Sequence, residues 1–257
     1  METIIFFDID NTIYNNKKGL IPPNTKRLLE ELAKKDNVEL GIATGRGLKK
    51  LDVIEEVLPF FKYLVLVNGG VGLNNNDVIF SHPIIKKDLV KAIKLANKND
   101  LTVGLVSLDD DAVNRWDEKV EKGMLTLRGK APKVDKDFYK KKAVYQIWLF
   151  SELEDLTFLT KKMPKFKIYP WHFGGADFTY KSNNKYTGIK KLLENKSDYK
   201  LVCVGDGAND ILMIENADIG IAMENSRFLE LKSKATYIAP NINEDKLYDL
   251  FKKLNLV

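Results

Sequence analysis

The sequence predicts an α/β protein with a second, smaller domain inserted into the first. Three observations carry that reading. Apolar runs of strand length alternate with helical patterns over residues 1–80 and again over 184–257. Several of those runs end in short polar turns rich in Asp, Thr and Gly. Between them, 81–183 breaks the alternation with aromatic-rich segments that suit an antiparallel sheet. Strand–helix–strand repetition argues for a parallel sheet covered by helices on both faces. The expected architecture is therefore a Rossmann-like parallel-sheet core with an inserted α+β cap domain.

Residues 4–8 form the first apolar run, and 24–35 follow with Leu28, Leu29 and Leu32 on one helical face. Pro22-Pro23-Asn24 is a suitable helix entry. A second strand is expected over 38–43, ending in Thr44-Gly45-Arg46, then a helix over 47–57, then a third strand over 63–67 ending in Asn68-Gly69-Gly70. The C-terminal part repeats the pattern. A helix is expected at 186–195, a strand at 201–204 ending in Gly205-Asp206-Gly207, and a helix at 209–216. A strand at 219–222, a helix near 226–233, a short strand at 237–238 and a closing helix at 244–254 complete it. In the middle, a helix over 86–99 precedes strands at 101–107 and 143–150. A helix at 152–162 then precedes strands at 165–169 and 176–180. The highly charged stretch 109–141 reads as loops plus a helix. Linkers near 80–83 and 181–184 would let the insertion close over the sheet edge as a lid.

Composition narrows the function. A chain of 257 residues with 44% hydrophobic content can build a substantial core. It has no apolar run of membrane-spanning length, so no membrane partner is expected. The single cysteine, Cys203, lies in an apolar strand and reads as a core residue. Without a basic leader ahead of the first strand, the expected location is cytoplasmic. The net charge of +5 is modest, because 36 acidic residues offset 41 basic ones. Arginine, the preferred reader of phosphates and bases, occurs at only five positions, which argues against a nucleic-acid partner. The positive balance would still draw in small anionic substrates.

Four constellations carry chemistry. Asp8 and Asp10 sit at the end of Ile4-Ile5-Phe6-Phe7, and their i, i+2 spacing turns both toward one face of a strand. Ionised carboxylates at a buried strand end require a cation or a reacting group. The carboxyl edge of an open α/β sheet is where such folds bind ligands. Taken alone, the pair also suits a calcium loop or a surface turn. Thr44 and Gly45 offer a hydroxyl and backbone N–H groups suited to phosphate oxygens, although Thr44 alone would equally serve as a helix cap. Lys185 stands just before a helix, where a cation is unfavourable unless an anion is near; by itself it is one lysine among many. Gly205-Asp206-Gly207-Ala208-Asn209-Asp210 puts two carboxylates and an amide where a strand passes into a helix. Two acidic strand ends in one sheet suggest a shared divalent cation, and hard oxygen ligands favour Mg²⁺.

In this order the four elements resemble the haloacid dehalogenase superfamily of phosphohydrolases. The insertion, together with the closing Gly205-Asp206-Gly207-Ala208-Asn209-Asp210 and Gly220-Ile221-Ala222-Met223-Glu224-Asn225, is similar to its Cof-type (class IIB) sugar-phosphatase branch. Two departures stand out: Asn11 where the family usually has Gly, and Tyr186 where the branch commonly has Gly. The resemblance implies a core of 1–80 and 184–257 and a specificity cap of 81–183. It implies a Mg²⁺-dependent phosphatase acting on small phosphorylated metabolites through an aspartyl-phosphate. Asp8 would be the nucleophile and Asp10 the general acid and base. Asp8, Asp206 and the Asp10 carbonyl would hold the metal. The Ile9 N–H, Thr44, Gly45, Lys185 and Asn209 would hold the phosphoryl group, and Asp210 would orient Lys185 or a metal-bound water. In the cap, Arg115, Trp116, Trp171 and His172 are candidates for substrate contact, while packing inside the cap explains the aromatics as well. Phosphotransfer to a second sugar, as in phosphomannomutase-like relatives, is the alternative enzyme, and a non-catalytic phosphometabolite-binding protein the alternative class.

Overall fold

The computed structural model describes residues 1–125 and 130–257. Strand β1 (Glu2–Phe7), helix α1 (Pro23–Leu32), β2 (Val38–Ala43) and β3 (Phe61–Leu66) open the chain, followed by a hairpin of β4 (Val71–Asn74) and β5 (Asp77–Ser81). The inserted region contains α2 (Lys86–Lys98), β6 (Thr102–Val106), β7 (Asp111–Val113), α3 (Glu118–Met124), β8 (Lys133–Val134) and α4 (Phe138–Lys141). It continues with β9 (Gln146–Phe150), α5 (Thr157–Lys162), β10 (Phe166–Pro170) and β11 (Ala176–Tyr180). The chain then returns through α6 (Lys185–Leu192), β12 (Tyr199–Gly205), α7 (Ile211–Glu215), β13 (Ile219–Met223), α8 (Leu229–Lys234), β14 (Tyr237–Ala239) and α9 (Leu247–Lys253).

These strands make two sheets. The larger runs β14-β13-β12-β1-β2-β3-β4-β5, and its first six strands are parallel. The smaller runs β10-β11-β9-β6-β7-β8 and is antiparallel except for the β7–β8 edge. The α/β architecture with a parallel-sheet core and an inserted cap is thus the observed one. The two crossings between the sheets run side by side, tied by Asn183 Nδ2 donating to the His82 carbonyl at 3.0 Å.

Alternation along β1 builds the core. Phe7 faces α9 and stacks on Phe251 with ring centroids 5.9 Å apart, whereas Phe6 faces the other side and stacks on Tyr63 at 6.0 Å. Both are fully buried, each contributing about 2–3 kcal/mol of apolar transfer free energy.

Several local expectations need correction. The helix expected over 47–57 is instead a chain of short 3₁₀ turns, Leu48–Lys50, Asp52–Ile54 and Leu58–Phe60. Here the backbone turns inward so that Lys50, 5% exposed, reaches across to Asp111 of the cap at 3.3 Å. The β4–β5 hairpin is an addition to the expected elements. Its turn places Asn75 and Asn76 at positive φ, the geometry of a two-residue hairpin turn that asparagine tolerates. Of the segment 109–141, residues 126–129 lie outside the described residues; the rest holds two short strands and two short helices rather than one helix.

Candidate active site

Asp8 and Asp206 leave the sheet side by side because β1 and β12 are adjacent and parallel. Phe7 pairs with Val204 in register, and the Asp8 N–H donates to the Val204 carbonyl at 2.9 Å. Beyond Asp8 the chain turns sharply: the Ile9 carbonyl accepts the N–H groups of Thr12, Ile13 and Tyr14. That turn requires Asn11 at φ 55°, a left-handed conformation that asparagine adopts more readily than most residues. Asparagine therefore satisfies the backbone demand at the position where the family has glycine.

Asp210 closes the second loop. Its Oδ2 accepts the N–H groups of Asp206 and Gly207 at 2.9 and 2.8 Å, and its Oδ1 accepts Lys185 Nζ at 2.5 Å. A Cβ on Gly205 would lie 2.5 Å from the Asp210 carboxyl carbon, so only glycine lets that side chain fold back over the strand end. Lys185 opens α6 behind an Asn184–Thr187 capping box, is fully buried, and donates to Asp8 Oδ1 at 2.6 Å. Burial opposes its charge, but Asp210 and Asp8 outweigh that and raise its pKa.

One ammonium shared among several buried carboxylates leaves excess negative charge. Burial pushes the Asp8 pKa up to about 7, against the pull of Lys185. Burial likewise raises Asp206 to about 6 and raises Asp210. Side-chain oxygens of Asp8, Asp206 and Asp210 all lie within 4.8 Å of one another. Hard, mutually repelling oxygen donors at this spacing fit a divalent cation such as Mg²⁺, which would relieve the same excess charge. This triad can take one.

Asp10 is set apart from this cluster. Both its oxygens accept from Arg46, at 2.7 Å from Nη2 and 2.9 Å from Nε. Burial alone would raise its pKa, yet the Arg46 guanidinium lowers it below the ordinary carboxylate value. Arg46 is anchored in turn by donating to the Lys50 carbonyl at 3.0 Å, and its N–H donates to Thr44 Oγ1 at 3.1 Å.

The cap roofs a cavity of about 80 Å³ over Asp8, Asp10 and Asp206. Asp177 on β11 accepts from Asn68 Nδ2 at 2.7 Å and from Trp171 Nε1 at 3.0 Å. Gln146 on β9 donates to the Gly45 carbonyl at 2.9 Å and accepts from Asn68 at 2.9 Å. Asn68 Oδ1 in turn accepts from Asn209 at 2.8 Å, so one core asparagine links the loop after β12 to both cap strands. Val67, just before it, sits at φ 46°, which is costly for a β-branched residue and sets the direction in which Asn68 points. His172 Nε2 lies 2.9 Å from Asp206 Oδ2, and the Arg227 guanidinium donates to the Trp171 carbonyl.

Among the residues singled out in the sequence, the structure brings Asp8, Asp10, Gly45, Asp206, Asn209, Trp171 and His172 to this cavity. Lys185 and Asp210 lie directly beneath it through their bonds to Asp8 and to the Asp206 loop, while Ile9 and Thr44 are buried in the turns that carry the motifs. Arg115 and Trp116 are placed elsewhere. Arg115 is held by Asp100, Asp117 and Thr102, and the exposed Trp116 donates to Glu121. Asp177, Gln146, Trp148 and Tyr169 also reach the cavity and were not anticipated. The available signal was a lone Asp and a lone Gln inside otherwise apolar strands.

An open parallel sheet with acids at adjacent strand ends, a buried lysine beside them and a roofing insertion define a haloacid dehalogenase-type hydrolase. The chain belongs to the haloacid dehalogenase-like hydrolase family, whose model matches residues 5–251. It is 30% identical to a Bacillus subtilis (strain 168) protein named "Putative phosphatase YkrA", over 99% of this chain and 98% of that one. Among solved structures it is similar to the haloacid dehalogenase subclass IIB sugar phosphatase BT4131, at 26% identity and TM-score 0.86, covering 99% and 100% of the two chains. It is similar also to a hypothetical protein of Geobacillus kaustophilus HTA426, at 25% identity and TM-score 0.85 over the whole of both. The protein is thus an enzyme of phosphatase type. Among the described residues, no helix is long and apolar enough to cross a membrane.

Proposed function

We propose that this chain is a Mg²⁺-dependent phosphatase of small phosphorylated metabolites, working through an aspartyl-phosphate on Asp8. The observation that carries the reading is the placement of Asp8. It lies at the cavity floor, holds Lys185 at 2.6 Å, and stands within 4.8 Å of two further carboxylates.

A Mg²⁺ held by Asp8, Asp206 and the Asp10 carbonyl would screen the phosphate charge from the attacking carboxylate. Every other part of the task falls to the chain. The Asp8 oxygen not held by Lys185 attacks phosphorus, and the bond from phosphorus to the leaving oxygen breaks. Lys185, with the Ile9 N–H, Thr44, Gly45 and Asn209, holds the phosphoryl oxygens as charge spreads over them. Asp10 gives its proton to the departing alkoxide, then takes one from the water that attacks the aspartyl-phosphate, releasing inorganic phosphate and regenerating Asp8. Asp210 keeps the Lys185 ammonium aimed upward. Arg46 favours the ionised form of Asp10, which suits the second, water-activating step; for the first step the Arg46 pair has to open and Asp10 take up a proton from solvent.

The cavity of about 80 Å³ is well below the ~300–1,000 Å³ of most ligand pockets. Loading a sugar phosphate therefore requires the cap, 81–183, to swing away on its two linkers and then close to exclude water. The likeness to a sugar phosphatase supports that substrate class. The test is a screen over many phosphomonoesters with Mg²⁺ and with EDTA. Turnover of at least one ester that EDTA abolishes is expected. Metal-independent turnover, or none across a broad panel, would overturn the reading.

A further inference from the structure

Among the described residues, one polar group on the roof of the cavity is left without a hydrogen-bond partner. Asp177 and Gln146 are engaged with Asn68, Trp171 and the Gly45 carbonyl. The Tyr169 hydroxyl, on the same roof, is fully buried and among the described residues has no hydrogen-bond partner. A buried, unpaired hydroxyl costs about 1–3 kcal/mol, so natural proteins rarely keep one without a use. Around it the chemistry is mixed. Trp148 and Trp171, edge to face with centroids 6.2 Å apart, present apolar surface that suits the C–H face of a sugar or polyol. Asp177 is the antiparallel partner of Tyr169 across β10 and β11, so a carboxylate lines the cavity beside the phenol. Lys50, Arg46 and His172 also line the cavity, but each faces a carboxylate of its own, Asp111 at 3.3 Å, Asp10 at 2.7 Å and Asp206 at 2.9 Å. A leaving group with its own anion would therefore meet a carboxylate rather than a free cation, while one bearing neutral hydroxyls would meet a waiting phenol.

Resting on the phosphatase reading of this same cavity, we propose that Tyr169 Oη selects the leaving group: it hydrogen-bonds a hydroxyl of a singly phosphorylated sugar or polyol, in a roof that rejects a second phosphate. Tyr169 is a specificity residue in this scheme. It takes no part in the transfer of the phosphoryl group.

The experiment compares wild type with Tyr169→Phe, both as the full chain in Mg²⁺, on three probes: a hexose monophosphate, the matching hexose bisphosphate, and p-nitrophenyl phosphate, whose leaving group has no aliphatic hydroxyl. In the wild type, kcat/KM for the monophosphate should exceed that for the bisphosphate by about tenfold or more. In Tyr169→Phe, the ratio of monophosphate to p-nitrophenyl phosphate kcat/KM should fall about tenfold, the worth of one neutral hydrogen bond. Because the variant loses only an unpaired hydroxyl, its Tm should not drop. A ratio unchanged within about twofold, a wild-type preference for the bisphosphate, or a Tm drop of more than about 3 °C would overturn the inference and leave the phosphatase reading standing. Wild type that turns over none of the three probes would overturn the inference, whereas the phosphatase reading falls only with no turnover across the broad panel.

Discussion

Replacing Arg46 with Met tests the pair that governs Asp10. Methionine matches much of the arginine volume but removes both donors. The Arg46 side chain is 2% exposed and that of Asp10 is 24% exposed. Removing one partner of a fully buried pair costs about 3–5 kcal/mol, because the other charge is left stranded. Asp10 keeps some contact with water, which offsets part of this, so about 2–4 kcal/mol is expected. For a chain of this size each kcal/mol moves Tm by about 2–4 °C, which gives a fall of roughly 4–16 °C. The pH dependence has a definite sign. Arg46 holds the folded Asp10 pKa below its ordinary value of 3.8. Its contribution is therefore complete at neutral pH and disappears as pH falls through that lowered value. Thermal melts in EDTA, at neutral pH and at stepwise lower pH, should show a gap between wild type and variant that closes on acidification. A Tm within about 2 °C of wild type at neutral pH, or a gap that widens in acid, would refute the reasoning.

Asp177→Asn addresses the cap roof. Burial raises Asp177 from 3.8 to about 6, a difference of about two units or about 3 kcal/mol. A raised acid favours the folded state fully below its unfolded pKa and loses that contribution as pH rises through about 6. Urea midpoints of wild type should therefore fall between pH 4 and 6 relative to those of the variant, and parallel profiles would contradict this. Asp245→Ala probes a cap built from the far end of the chain. Asp245 accepts the N–H groups of Asn24 and Thr25 at 2.8 and 3.0 Å, serving α1 whose own N-cap is Pro22. Its loss should cost about 1–2 kcal/mol and speed amide exchange at those two residues, with little change in turnover.

The core of the site was legible because each motif is local. The apolar run of β1 ends at Asp8, and the polar turn after β12 contains Asp206, Asn209 and Asp210, so strand pattern alone placed the acids at one sheet edge. What local pattern could not supply was partnership across the chain. Arg46 adjoins a readable motif, yet its engagement with Asp10, 36 residues away, depends on how β1 and β2 pair. Asn68 read as the end of a strand; the strained turn at Val67 that aims it at Asp177 and Gln146 leaves no mark in sequence. Tyr169 and Gln146 alternate with core residues in aromatic strands, and only the docking of the cap decides which side meets the active site. Arg115 and Trp116 attracted notice by residue type alone, and local carboxylates claimed them. The helix expected over 47–57 failed for a related reason: Lys50 is drawn inward by a cap residue 61 positions later.

The most direct measurement of the whole account is turnover by Asp8→Asn. The substitution conserves shape, retains an oxygen for Lys185, and removes the nucleophilic carboxylate. With Mg²⁺ and the best ester from the screen, kcat/KM should fall by at least about a thousandfold while circular dichroism stays that of wild type. Turnover within about tenfold of wild type would mean that phosphorus is not attacked by Asp8, and the mechanism built on it would be wrong.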